Sequence, residues 1–276
     1  MRRELGGLYR WGGISLIGSG ILMLARQILE LGAGPQPSRG VEILAWVEAG
    51  RLPLMLANEA LFVSGMLLIP GVIALHASLA RVDRTKAAIG CGILAAAIPV
   101  LLALDIIHGR LVYAVYGLRI DTPAIAELAV ALFHGGLHAT SIMMGVATLV
   151  LALAMRRGPY SRGLVALGLV TGVFDVVGSY PWAIGPTLLL ACQALYAAWF
   201  VGVGWRLHGW RVAHADMAID SYRLIDFATR QIIKPWVDRA VAKRKVNPER
   251  LVDAARRYGT GKTREFIERA LEAVST

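Results

Sequence analysis

Polar and apolar positions along the chain separate into long apolar runs divided by short charged loops. Six runs, at about residues 9–31, 58–80, 86–107, 124–155, 162–182 and 184–208, are long and apolar enough to read as membrane spans. About 20 mostly apolar residues cross the hydrocarbon of a bilayer as a helix. No alternating pattern of short segments suggests a barrel. Within lipid each backbone amide must find its partner inside its own segment, so these runs are helices. The fold class expected is all-α: a six-helix integral membrane bundle over 1–211, followed by a cytoplasmic helical tail over 212–276.

Composition narrows the class further. Hydrophobic residues make up 56% of the 276 positions and charged residues 17%. A water-soluble domain carries about 25% charged residues. Two cysteines, Cys91 and Cys192, exclude a disulfide scaffold. The net charge of +10 is distributed by topology. Eleven basic residues fall on the side of the chain termini: Arg2, Arg3, Arg10, Arg81, Arg84, Lys86, Arg156, Arg157, Arg162, Arg206 and Arg211. Four fall on the other side: Arg39, Arg51, Arg110 and Arg119. Basic loops stay in the cytoplasm. This predicts both termini inside and a multi-pass protein of the cell (inner, cytoplasmic) membrane. The lipid bilayer is then the first partner, and nucleic acid is not needed to explain the charge. The first run follows Met1-Arg2-Arg3, but it is too long for a signal peptide and is expected to stay as an uncleaved span.

Outside the spans, Pro35 and Pro37 end the first helix, and 41–56 reads as a short amphipathic helix on the outer surface with a bend at Arg51-Leu52-Pro53. Tyr180-Pro181-Trp182 reads as a tight outer hairpin.

Leu56-Ala57-Asn58-Glu59-Ala60-Leu61-Phe62 opens the second span, and Ser161-Arg162-Gly163-Leu164-Val165-Ala166-Leu167-Gly168 opens the fifth. With the span spacing, these segments resemble the bacterial multi-pass membrane proteins of the domain of unknown function 4386 family, over about residues 8–207. The resemblance implies architecture and carries no activity or site residue.

Ionisable groups within a membrane are costly and mark candidate sites. Here they concentrate in the outer halves of the spans: Arg26 and Glu30, Asp105 and His108, Glu127, His134 and His138, Asp175, and Gln193. At 100° per residue, Glu127, Ala131, His134, His138, Ser141 and Gly145 lie within about 40° of one line. Gly168, Thr171, Gly172, Asp175 and Ser179 repeat the pattern on the fifth span. Such faces are expected to converge on an outward-opening polar pocket. His134 and His138, four apart, can hold one divalent metal with Asp105, His108, Glu127 or Asp175 completing the set. A haem on His108 with His134 or His138 is the weaker alternative, because no second signal accompanies it.

The tail carries an amphipathic helix over about 216–243 and a helical hairpin over about 247–274. A hairpin this small has too little core to stand alone. It is expected to dock on a membrane-complex partner or on a second copy. Three functions remain: binding or transport of a small ligand or ion with possible proton coupling, an accessory subunit docking through its tail, or a membrane enzyme with a His-based metal or haem. An enzyme is not the leading reading of the three.

Overall fold

The computed structural model describes residues 2–209. The tail helices expected over 212–276 lie outside the described residues. The order is α1 (Arg2–Gly32), α2 (Gly40–Ala49), α3 (Arg51–Leu79), α4 (Arg84–Val112), α5 (Pro123–Met155), α6 (Arg162–Gly178) and α7 (Pro181–His208). Five of them, α1, α3, α4, α5 and α7, are long and apolar enough to cross a membrane. The remaining helix, α6, is the fifth expected span; it has 17 residues and ends at Gly178, short of the expected 182. The stop is local. Pro181 disfavours helical geometry at Tyr180. The Ser179 hydroxyl and amide both turn back to the Val176 carbonyl.

The surface segment also departs from the expected 41–56 helix. It breaks at Gly50, and α3 starts at Arg51. Pro53 does not bend the chain there, because it falls in the first turn of α3, where its missing N–H has no helical partner to lose. α7 is two helices merged across a kink: Gly185 has φ +74° and Pro186 follows it. Only glycine takes that conformation without strain.

The six long helices pack as a closed ring in the order α1, α3, α4, α5, α6, α7 and back to α1, with α2 lying against α5, α3 and α4. The termini of the ring, Gly209 and the start of α1, share one end with the 80–83 and 156–161 loops, here the near end. The 33–39, 113–122 and 179–180 loops form the far end. Between apolar helices in lipid the hydrophobic effect supplies no drive, so close packing must hold them together. Glycines make the closest approaches. A Cβ on Gly13 would lie 2.6 Å from the Gly204 carbonyl, where α1 meets α7. A Cβ on Gly145 would lie 2.8 Å from the Gly172 carbonyl, where α5 meets α6. Large side chains then fill the interior, Leu16, Leu68, Leu94, Leu151, Trp199 and Phe200 among them.

The outward faces carry exposed Ile21, Ile28, Ile73, Ile89, Ile106, Leu132 and Val173. In water this surface would be a severe liability, whereas lipid accommodates it. Exposed Trp11 and Trp205 mark the near end, and Trp182 marks the far end. Amphipathic rings favour both membrane–water boundaries.

Two polar contacts close the near end. Tyr160 and Ser78 share a hydroxyl hydrogen bond of 2.8 Å, and Arg206 donates twice to the Pro159 carbonyl. Asp83 caps α4 by accepting from the Lys86 amide at 3.1 Å and also pairs with the Lys86 ammonium. These bonds from Lys86 hold the Asp83 carboxyl below its ordinary value.

The glycine contacts give a direct test. Gly13→Val should lower unfolding stability in detergent by about 1–3 kcal/mol, because backbone atoms of α7 cannot yield. Gly92→Ala, where nothing lies within 4 Å, should cost nothing. Equal effects of the two substitutions would contradict the close α1–α7 approach.

Candidate functional site

The polar residues of the far half sort into two groups, and the α5 stripe links neither into one cavity. The first group is built by α1, α3, α4 and α5. Arg26 and Glu30 lie one turn apart on α1, so both reach the same face. Arg26 Nε and Nη2 donate to Glu30 Oε1 at 2.9 and 2.5 Å. Arg26 is 7% exposed and sits over the Phe133 ring, 5.7 Å from its centre. Desolvated guanidinium over an aromatic face gains about 2 kcal/mol.

Phe133 bridges two histidines. Its ring stacks on His108 at 4.4 Å and meets His134 edge-on at 5.3 Å. His108 and Asp105 are both buried on α4, three residues apart. Asn58 of α3 joins them. Its amide Nδ2 donates to Asp105 Oδ2 at 3.2 Å, and its Oδ1 lies 3.0 Å from His108 Nδ1. An amide oxygen only accepts, so His108 Nδ1 carries the proton. Asp105 Oδ1 is buried and has no hydrogen-bond partner in the protein. Arg26 lies within electrostatic reach of Asp105, His108 and His134, and Glu30 and Glu59 within reach of Asp105.

Tyr113, just past α4, closes this group from above. Its hydroxyl lies 2.7 Å from Glu59 Oε1 and 3.0 Å from the Met55 carbonyl. Burial, reinforced by that bond and by the charges of Glu59 and Asp105, pushes the Tyr113 phenol above its ordinary range.

The stripe on α5 is used differently. Glu127 is exposed and accepts from the Gly40 amide at 2.6 Å. That carboxylate sits at the start of α2, where unsatisfied N–H groups and the helix dipole favour an anion. His134 Nε2 lies 2.6 Å from Gln36 Oε1 in the α1–α2 loop. His138 Nδ1 lies 2.7 Å from the Ser179 carbonyl, and its ring packs against Tyr180 and Trp182. The two histidines therefore turn to different loops. Among the described residues no three His, Cys, Asp or Glu side chains gather as a metal-binding set. His108 spends its Nδ1 on Asn58 and stacks its ring on Phe133. Gln193 is half-buried on α7, and no hydrogen bond joins it to either group among the described residues.

The second group lies between α5, α6 and α7 and contains Asp175. It is 7% exposed, and its Oδ2 has no partner in the protein.

Sequence reading singled out neither Phe133 nor Gln36 nor Tyr113 as site residues, and met Asn58 only within a motif. Phe133 sits one residue before His134 and reads as core. Asn58 lies 47 residues from Asp105, a pairing no local pattern reports.

A pocket of about 260 Å³ opens at the far end between α2, the end of α4 and the following loop. On its wall Glu48 pairs with Arg51 at 2.6 Å and with Arg119 at 3.8 Å.

Comparison with known protein families, with curated proteins and with solved structures finds no match. The residues themselves therefore carry the functional argument.

Asn58 is the joint of the first group. Asn58→Ala should reduce unfolding stability in detergent by about 1–3 kcal/mol, since two buried polar groups lose their shared partner. His134→Ala, whose partner Gln36 is exposed, should cost less than about 1 kcal/mol. A larger loss at His134 than at Asn58 would reverse the assigned centre of the site.

Proposed function

We propose that the chain is a six-span integral membrane protein of the cell membrane with both ends cytoplasmic, and that its outer half binds a small metal cation at the Arg26–Asp105 group. The orientation rests on the eleven-to-four division of basic residues between the two sides. The membrane setting rests on the five long apolar helices. For α6, 17 residues rising about 1.5 Å each give about 26 Å. A short span of that length is met by local thinning of the bilayer or by snorkelling ends.

One observation carries the ligand class. Arg26, Glu30 and Glu59 all lie within electrostatic reach of Asp105, and one oxygen of Asp105 is buried without a partner. A group with more acids than bases, next to an unused carboxylate oxygen, favours a positive ligand over an anion. An Arg26 site for anions would first require breaking its double bond to Glu30. A divalent metal on His134 and His138 draws no support from this geometry, and haem draws none.

The accessory-subunit reading keeps one supporting observation: most polar groups in the far half are satisfied by one another, as in a packed bundle. In that reading residues 212–276 are the docking element for a partner or a second copy. The segments 56–62 and 161–168 support grouping residues 8–207 with the domain of unknown function 4386 proteins, for architecture alone.

The test uses the full chain in detergent, with thermal unfolding followed in sodium, calcium and choline chlorides at equal ionic strength. A cation bound at about 100 times its dissociation constant adds about 2.7 kcal/mol. Sodium or calcium should raise the midpoint of the wild type relative to choline, and Asp105→Asn should abolish the rise. No rise with either cation, or a rise retained in Asp105→Asn, would remove this reading.

A further inference from the structure

A second buried carboxyl lies away from the Arg26 group. Asp175 projects from α6 into the seam where α5, α6 and α7 meet. On the α5 side it packs against Gly145, where a Cβ would come 3.1 Å from that of Asp175. The glycine admits the carboxyl between the helices and offers it no side-chain group to bond. On the α7 side the titratable neighbours are the buried Cys192 and Tyr196. Thr171, one turn before Asp175 on α6, spends its hydroxyl on the Leu195 carbonyl at 3.2 Å.

What distinguishes this seam is its unused polar atoms. Asp175 Oδ2, the Tyr196 hydroxyl and the Trp199 Nε1 are each buried without a hydrogen-bond partner in the protein. Tyr196 is 3% exposed and Trp199 0%. Native proteins leave few such atoms, and each calls for an explanation. The Tyr196 hydroxyl lies within electrostatic reach of Asp175, whereas the Trp199 Nε1 stands beside Gly168, two turns earlier on α6. Among the described residues Asp175 forms no ion pair. A carboxylate held there would be an uncompensated buried charge. A neutral carboxylic acid needs only hydrogen bonds.

Two polar residues stand between Asp175 and the far end. Ser179 lies one turn beyond Asp175 on α6, and its carbonyl accepts from His138 of α5. His138 is half-buried among Tyr180 and Trp182, whose rings are exposed. His138 lies two turns from Gly145 along α5, so it is the titratable group that α5 presents toward this seam.

We propose that Asp175, with Tyr196 beside it, forms a second binding site whose ligand is a proton, held on the Asp175 carboxyl in the neutral acid form and reached from the far end past His138 and Ser179. The site does not rest on the Arg26–Asp105 reading, and it stands or falls without it. Tyr196 supplies the donor that would receive the carboxylate when the proton leaves. The site is also a point of covalent modification. An apolar carbodiimide reacts with a protonated acid: the carboxyl proton passes to one nitrogen, and the carboxyl oxygen bonds the central carbon. The acyl group then migrates to nitrogen as a stable N-acylurea. The step is an addition, with no leaving group and no change of oxidation state.

Two measurements on the full chain in lipid vesicles test it. The first is the infrared difference between wild type and Asp175→Asn at about pH 8, well above the ordinary carboxyl range near 4. The wild type should show a neutral-acid C=O band that the variant lacks. If the variant instead loses carboxylate bands, Asp175 is ionised and the proposal fails. The second is dicyclohexylcarbodiimide labelling at about pH 7, mapped by mass spectrometry. Asp175 should be labelled at least about tenfold faster than the exposed Glu48, because the apolar reagent concentrates in the bilayer and reacts with the acid form of a buried carboxyl. Tyr196→Phe should change the Asp175 rate several-fold while the thermal midpoint stays close to wild type. Labelling of Asp175 no faster than Glu48, or equal labelling by a water-soluble carbodiimide, would overturn the site. Asp105→Asn should leave both Asp175 signals unchanged, which separates failure here from failure of the first reading.

Discussion

Hydrocarbon offers no hydrogen bonds, and that single constraint organises this chain. It forces the apolar runs into helices whose amides are satisfied internally. It also withdraws the hydrophobic effect as the force between helices, so contact distance has to do what burial does in water. The ring from α1 to α7 shows the result. Gly13 against Gly204 and Gly145 against Gly172 bring backbones together, while isoleucine and valine are turned outward. Polar side chains obey the same constraint from the other direction. In the far half each must pair, stack or shed its charge, and Arg26 does the first two through Glu30 and Phe133.

From this follows the division of the polar residues into two groups. Around Arg26, opposite charges and an amide relay satisfy nearly everything, leaving one oxygen of Asp105 open. Around Asp175 no cation is at hand among the described residues, and neutralisation by a proton is the remaining way to lower the cost. The same helix, α5, touches both groups. Its Phe133 lies in the first, and its Gly145 makes room for the second.

How far the fold was legible follows from which signals are local. Apolar length and loop charge are local, so the helical membrane class and the five long helices could be read directly. Helix ends depend on single residues. Pro181 and Ser179 stop α6 early, and Gly50 rather than Pro53 separates α2 from α3. The α5 periodicity placed Glu127, His134 and His138 on one line, but it could not say what would cover them. The 33–40 segment and the end of α6 do so, and each residue bonds a different loop atom. Asn58 with Asp105 and His108, and Asp175 beside Tyr196, join different helices, so no spacing along the chain announces them. Glu30 beside Arg26 was visible because both lie on one helix turn.

Ring closure between the first and last helices is the claim on which both groups depend, because it fixes which faces look inward. A cysteine pair at Gly20 and Ala197 measures it most directly. A Cβ on Gly20 would lie 3.5 Å from the Ala197 Cα, in reach of an oxidative cross-link. With Cys91 and Cys192 replaced by alanine, mild oxidation in native membranes should join α1 to α7 within one chain. A control pair at Gly20 and Gly92 should stay reduced. Absence of the 20–197 link, or a link formed only between chains, would contradict the closed ring.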